Sequence, residues 1–248
     1  MSAAIRATDL GVRFQFDRTQ HVITPARAGL SGNVSETWGL RGLELEAGPG
    51  DGIALLGPTG SGKTTLLRAI ASVMPADEGS IEVSGRVASM ISINAGLIDS
   101  LTGRENAMLL GVLTGMSRAD CRAGLDEIRE RSQLGDAFDL PASSYSQGMR
   151  ARLCFTASTR FHPDILVLDE VHEAFDHEWR EQVRLRSEQI RASGGIVVAA
   201  GHDHPLLARL CGRAVLLADG RVTAAGGFDE VRRNYLGAAA TENEGETG

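Results

Sequence analysis

Three short unbroken apolar runs, at 53–56, 165–168 and 196–200, are closed by Gly57, Asp169 and Gly201. Runs of this length without polar interruption predict strands buried on both faces. Residues 5–16 alternate loosely and predict a first strand. A short second one at 43–46 turns at Gly48, Pro49, Gly50 and Asp51. Between them, 17–37 is polar, carries Pro25 and several glycines, and reads as a long loop or lid with room for one short helix. From Lys63 to Val73 the positions Leu66, Leu67, Ile70 and Val73 fall at helical spacing, and Pro75 sets the end. Residues 79–93 read as two short strands paired with each other. The stretch 99–160 turns helical in period. Thr102 followed by Glu105 has the form of a capping box, and 118–133 makes an amphipathic, charged helix. A polar helix over 176–192, a short helix over 206–210, and a hairpin of 214–217 with 221–223 turned at Asp219 and Gly220 complete the pattern. Strands alternating with helices imply an α/β core with a mainly parallel sheet. The expected organisation is one domain over 1–248. Its core lobe spans about 1–98 and 161–248, its inserted helical lobe about 99–160, and 237–248 is a small, acidic, frayed tail.

Composition narrows the picture further. A chain of 248 residues fits one large domain and buries about 70–75% of its unfolded surface, so it needs no covalent staples. The net charge of −7 argues against non-specific nucleic-acid binding, which needs a basic footprint. The longest apolar runs fall far short of the roughly 20 residues of a membrane span. The N-terminal stretch lacks the apolar core of a signal peptide. The chain is therefore expected in the cytoplasm, with any membrane role exerted through a partner. Cys121, Cys154 and Cys211 are scattered, form no CxxC pair, and read as reduced thiols.

The candidate chemistry begins where the first buried run ends. Gly57, Pro58, Thr59, Gly60, Ser61, Gly62, Lys63, Thr64 and Thr65 fit G-x-x-x-x-G-K-[ST] between a strand and a helix. Glycines there let backbone N–H groups curl around phosphates, and the helix N-terminus adds positive potential. Lys63 suits the β- and γ-phosphates of ATP, and the Thr64 hydroxyl suits Mg2+. The second buried run ends in Asp169 and Glu170. Asp169 falls at the sheet edge beside the phosphate loop, where Mg2+ sits, and Glu170 is suited to orient or deprotonate an attacking water. Ser146 and Gly148 open a helix and can present a hydroxyl and N–H groups to an anion, or simply cap it. His202 follows the third buried run and can meet a γ-phosphate, or be a satisfied loop residue.

These four motifs, in this order, resemble the nucleotide-binding subunit of ABC transporters over roughly residues 5–235. Tyr145, Ser146, Gln147, Gly148 and Met149 stand where that family has its signature, Asp176 at its D-loop aspartate, and His202 at its switch histidine. Within the family the chain looks most like the ATPases of polysaccharide exporters of the O-antigen, capsule and teichoic-acid type. Thr37 to Leu40, with Trp38, and the stretch from Leu101 to Gly115 carry that likeness. The resemblance implies ATP and Mg2+ as cofactors and a homodimer sandwiching two ATP. It also implies a polytopic membrane-spanning permease as partner, glycan cargo contacted mainly by that permease, no nucleic acid, and a peripheral position on the inner face of the cytoplasmic membrane. Two positions depart from the pattern. Ser92, with Asn94 as rival, stands where the family has a Gln or Glu near the metal. Phe14, with Phe16 and Trp38 as rivals, stands for the aromatic that stacks on adenine.

Overall fold

The computed structural model describes residues 2–17, 22–25, 34–91, 96–170 and 175–245. Its centre is a six-stranded sheet in the order β10-β9-β4-β8-β7-β6. The strands are β4 (Gly52–Leu56), β6 (Val87–Met90), β7 (Ile165–Asp169), β8 (Ile196–Ala200), β9 (Arg213–Ala218) and β10 (Arg221–Gly227). All neighbours pair in parallel except the hairpin of β9 with β10.

The three unbroken apolar runs are β4, β7 and β8, and every residue in them is buried. Alternation explains why both faces must be apolar. Ile53, Leu55, Ile165, Val167, Ile196 and Val198 face one core cluster. Ala54, Leu56, Leu166, Leu168, Val197 and Ala199 face a second. The first cluster is closed by α1 (Lys63–Ile70) and by an antiparallel sheet of β1 (Ala4–Asp17), β2 (Val22–Pro25), β3 (Val34–Ala47) and β5 (Glu78–Ser84). The second is closed by helices: α2 (Gly103–Leu113), α3 (Arg118–Ser132), α4 (Gln147–Arg160), α5 (His177–Ala192), α6 (His204–Leu210) and α7 (Phe228–Gly245). The chain between the adjacent strands β6 and β7 carries α2, α3 and α4 and two 3-10 turns, Gly135–Asp139 and Ala142–Ser144. Thr102 and Glu105 form the capping box of α2, with side chain and backbone bonds in both directions.

Five expectations change. The 17–37 stretch contains β2 and the start of β3 where a long loop or lid was expected, and the short strand at 43–46 is the end of the 14-residue β3. Val22, Ile23, Thr24 and Val34 are β-branched, and pairing with β1 overrides the polar composition. Pro25 is tolerated because β2 lies at the sheet edge. The strands over 79–93 do not pair with each other. β5 joins β1 antiparallel and β6 joins β7 parallel, with Gly85 at φ 120 turning the chain between the sheets. The first helix stops at Ile70, short of Val73, and Ser72 takes a left-handed φ of 57. The segment from Gly237 continues α7 as far as Gly245 rather than leaving the fold as a tail at Gly237.

Candidate functional site

The parallel strands deliver their C-terminal ends to one edge of the sheet, and the candidate residues follow those ends. Gly57 leaves β4 at φ 142, and a Cβ there would stand 2.2 Å from the Leu217 carbonyl oxygen. Gly60 and Gly62 also take positive φ, and a Cβ on Gly62 would meet the Gly39 oxygen at 2.6 Å. Close backbone approach excludes side chains at Gly57 and Gly62, and the left-handed backbone disfavours one at Gly60, so the loop presents main chain where a phosphate would sit. Within it the buried Ser61 hydroxyl has no hydrogen-bond partner among the described residues.

Lys63 opens α1 and is 7% exposed. Its ammonium donates to the carbonyl oxygens of Gly57 at 2.7 Å and Pro58 at 2.9 Å. Burial lowers its pKa, while the charges of Glu170 and Asp169 act the other way. The Thr64 hydroxyl donates to Asp169 Oδ2 at 2.7 Å, joining the first turn of α1 to the end of β7. Burial raises the Asp169 pKa and the Glu170 charge adds to it, against the Thr64 hydrogen bond and the Lys63 charge. A hydroxyl and one ionisable carboxylate suit Mg2+, which takes few protein ligands and completes its shell with water and substrate phosphate. No cluster of three His, Cys, Asp or Glu that could hold a metal by itself exists among the described residues.

Glu170 has a left-handed φ of 53, a strained state for a non-glycine residue, and its N–H donates to the Ala200 oxygen at 3.0 Å. That backbone carries its half-exposed carboxylate past the strand end, where Oε1 stands 3.4 Å from Nε2 of His202 after β8. Three consecutive strands of the sheet, β4, β8 and β7, thus feed one group of side chains.

A cleft of about 400 Å³ opens over this edge, lined by Phe14, Thr37, Trp38, Gly39, Thr59, Gly60, Gly62, Lys63, Thr64, Thr65 and Glu170. Its far wall comes from β1 and β3, where Phe14 pairs with Thr37 and Arg13 with Trp38. A Cβ on Gly39 would lie 2.4 Å from the Phe14 ring, so glycine there makes room for it. Phe14 also packs against the core beneath. The guanidiniums of Arg13 and Arg41 lie over the Trp38 ring at 5.3 and 5.4 Å. Neither arginine carried a local signal in the sequence. Their approach depends on a strand register that shifts three times between Ala7 and Arg13. The Phe16 side chain, and Ser92 and Asn94 entirely, lie outside the described residues.

Ser146 and Gly148 do not line this cleft. Ser146 is the exposed N-cap of α4 and accepts the Met149 N–H at 3.2 Å. Tyr145 before it is buried, and its hydroxyl donates to the Ala137 oxygen at 2.6 Å, anchoring the approach to α4. Asp176 caps α5 by accepting the Trp179 N–H at 2.9 Å, and its second oxygen pairs with Arg152 of α4 at 2.7 Å.

A family model described as ABC transporter matches residues 40–173. The O-antigen export system ATP-binding protein RfbE of Yersinia enterocolitica is 37% identical over 202 residues, covering 81% of this chain and 84% of that one. RfbB of Myxococcus xanthus, named likewise, is 33% identical over 196 residues, but the chain spans only 45% of its length. Among solved structures, the dimeric post-hydrolysis state of the ATP-binding cassette MJ0796 bound to ADP and Pi superimposes with a TM-score of 0.73 at 20% identity. It covers 90% of this chain and 98% of that one. No helix among the described residues is long and apolar enough to cross a membrane.

Proposed function

The chain belongs to the ABC transporter family, and from that premise we propose that it is the ATP-hydrolysing subunit of an exporter of a polysaccharide or lipid-linked glycan. The observation that carries the hydrolysis is the row at the sheet edge: Thr64 on Asp169 beneath the glycine loop, with Glu170 and His202 3.4 Å apart beside it. The cargo class rests on likeness to the Yersinia relative across more than four fifths of both chains.

ATP enters the cleft with its base against the wall of Phe14 and Trp38 and its phosphates in the loop. Lys63 exchanges the Gly57 and Pro58 carbonyls for β- and γ-phosphate oxygens, which are stronger, charged acceptors. Thr64 and Asp169 would hold Mg2+, which would neutralise charge on the phosphates. Glu170 accepts the proton of the attacking water. His202 steadies the γ-phosphate and, through its contact with Glu170, the orientation of that base. Ser146 and Gly148 of a second copy close the open side of the cleft, with Asp176 at the same interface. The dimer then holds two ATP. Closure and release of that dimer drive a polytopic permease, which contacts the glycan, while the ATPase stays on the inner face of the cytoplasmic membrane. Nucleic acid has no part in the cycle.

The test is reconstitution of the chain with its membrane partner in vesicles supplied with fluorescent lipid-linked glycan. ATP-dependent loss of accessible label supports export of this cargo. Hydrolysis without glycan movement, but with movement of another lipid or a small molecule, replaces the cargo and keeps the ATPase.

A further inference from the structure

His202 stands on a short loop between β8 and α6, and nothing in that loop alone fixes its imidazole against Glu170. The constraint comes from α5. Arg180, one turn into that helix, donates from Nη1 to Asp203 Oδ2 at 3.0 Å. Its Nε donates to the Phe175 oxygen at 3.1 Å, and its own N–H to the Asp176 oxygen at 3.0 Å. The other oxygen of Asp203 accepts the Leu206 N–H at 3.0 Å and caps α6. One guanidinium therefore joins three segments: the end of the chain that follows Glu170, the first turn of α5, and the residue next to His202.

We propose that Arg180 is a positioning residue for His202, acting through Asp203 to hold the imidazole at its distance from Glu170. The inference rests on the proposed role of His202 in hydrolysis. The pair is not a stability device: Arg180 and Asp203 side chains are 39% and 23% exposed, and ion pairs this open to water contribute little to folding. Its geometry is specific, because a planar guanidinium places two donors in a fixed fork, one on a carbonyl and one on a carboxylate. Neighbouring Arg184 lacks such a reach, since its partners Glu181 and Glu188 lie on the same helix.

A double-mutant cycle on the full chain tests this, with turnover, KM for ATP and melting temperature measured for each variant. Arg180→Ala should lower kcat by about tenfold to a hundredfold, the scale of a misplaced catalytic group. KM and melting temperature should stay near wild type. Asp203→Asn should reproduce the loss, because Asn still caps α6 but offers no charge to Arg180. Arg180→Lys should recover part of kcat, and Arg184→Ala should change nothing. In a His202→Ala background, Arg180→Ala should cost no more, since its effect passes through the missing imidazole. Additive losses in the double variant overturn the positioning role while leaving His202 in the mechanism. Unchanged turnover in His202→Ala removes His202 from the mechanism and this inference with it. A loss in Arg180→Ala that follows a fallen melting temperature, with Asp203→Asn silent, assigns Arg180 to folding instead.

Discussion

The two faces proposed to meet around ATP are built in opposite ways. One is over-determined by the sheet. Lys63, Thr64, Asp169, Glu170 and His202 follow three neighbouring strands, and hydrogen bonds within the chain tie Lys63 and Thr64 into place. Lys63 and Asp169 are each 7% exposed, and burial shifts both pKa values toward the neutral forms. The other face is the N-terminus of α4. Ser146 is exposed, accepts an N–H of its own helix, and does not line the cleft. The first face holds the charges of Lys63 and Asp169 in a buried setting that a ligand would complete. The second offers free N–H groups that a helix start always leaves over. A face of the first kind would recognise phosphate in a single chain. A face of the second kind would add to a site that another molecule supplies.

The sharpest way to separate binding from chemistry on the first face is Glu170→Gln. It keeps size and polarity and removes the proton acceptor. Turnover should fall by about 10²–10⁴-fold, while ATP still binds. With hydrolysis blocked, ATP should hold the closed state, and gel filtration should show the protein moving from monomer to dimer. Near wild-type turnover would transfer the role of base to another group and dissolve the reading of the strained Glu170 backbone as functional.

Combining damage to the two faces tests whether they meet only between chains. Lys63→Ala removes the one cation in the loop and should weaken ATP by about tenfold to a hundredfold, the worth of charged hydrogen bonds. Ser146→Arg should leave ATP binding to the monomer intact and abolish turnover, because bulk and charge block the second face. Mixed in equal amounts, the two variants form heterodimers with one doubly damaged site and one untouched. Random pairing makes about half of the dimers mixed, so roughly a quarter of the wild-type rate should return if one site fires alone. A mixture no more active than its parents, with heterodimers confirmed by mass, would argue that both faces act within one chain or that both sites must fire together. Linking the chains in tandem with a single damaged site separates those two outcomes.

What the sequence disclosed follows the same division. The three apolar runs, the glycine loop and the acids at the end of β7 are local signals, and each stands in the structure where its pattern put it. The capping box at Thr102 and Glu105 is equally local. Long-range pairing was illegible. In the polar stretch before Trp38 only a few β-branched residues hint at β2 and the full length of β3, because those strands exist by pairing with β1. β5 and β6 were legible as strands but not as members of different sheets. The ties of Arg152 to Asp176 and Arg180 to Asp203 cross 24 and 23 residues, and no motif marks either. The wall of the cleft suffers most, since it depends on β1 and β3 meeting in a bulged register.

That wall is also where the smallest effect is expected and where the first face can be refined. Phe14 lines the cleft with one part of its ring and packs on the core with another. Trp38 lines it too, but two guanidiniums already lie over its ring, so less of its surface is open to a base. Phe14 is thus the better platform. Stacking of a base on an aromatic ring is worth about 1–3 kcal/mol. Phe14→Ala should therefore weaken ATP by about tenfold, and GTP by a similar factor, because a flat ring scarcely distinguishes purines. Phe14→Tyr should be nearly silent. Isothermal titration with both nucleotides reads the effect, and a melting curve reads the rest. If Phe14→Ala leaves affinity intact and lowers the melting temperature, the ring is core packing, and Trp38→Ala becomes the variant that must weaken binding. If Trp38→Ala is silent as well, the wall of β1 and β3 does not hold the base, and the nucleotide is held by its phosphates alone.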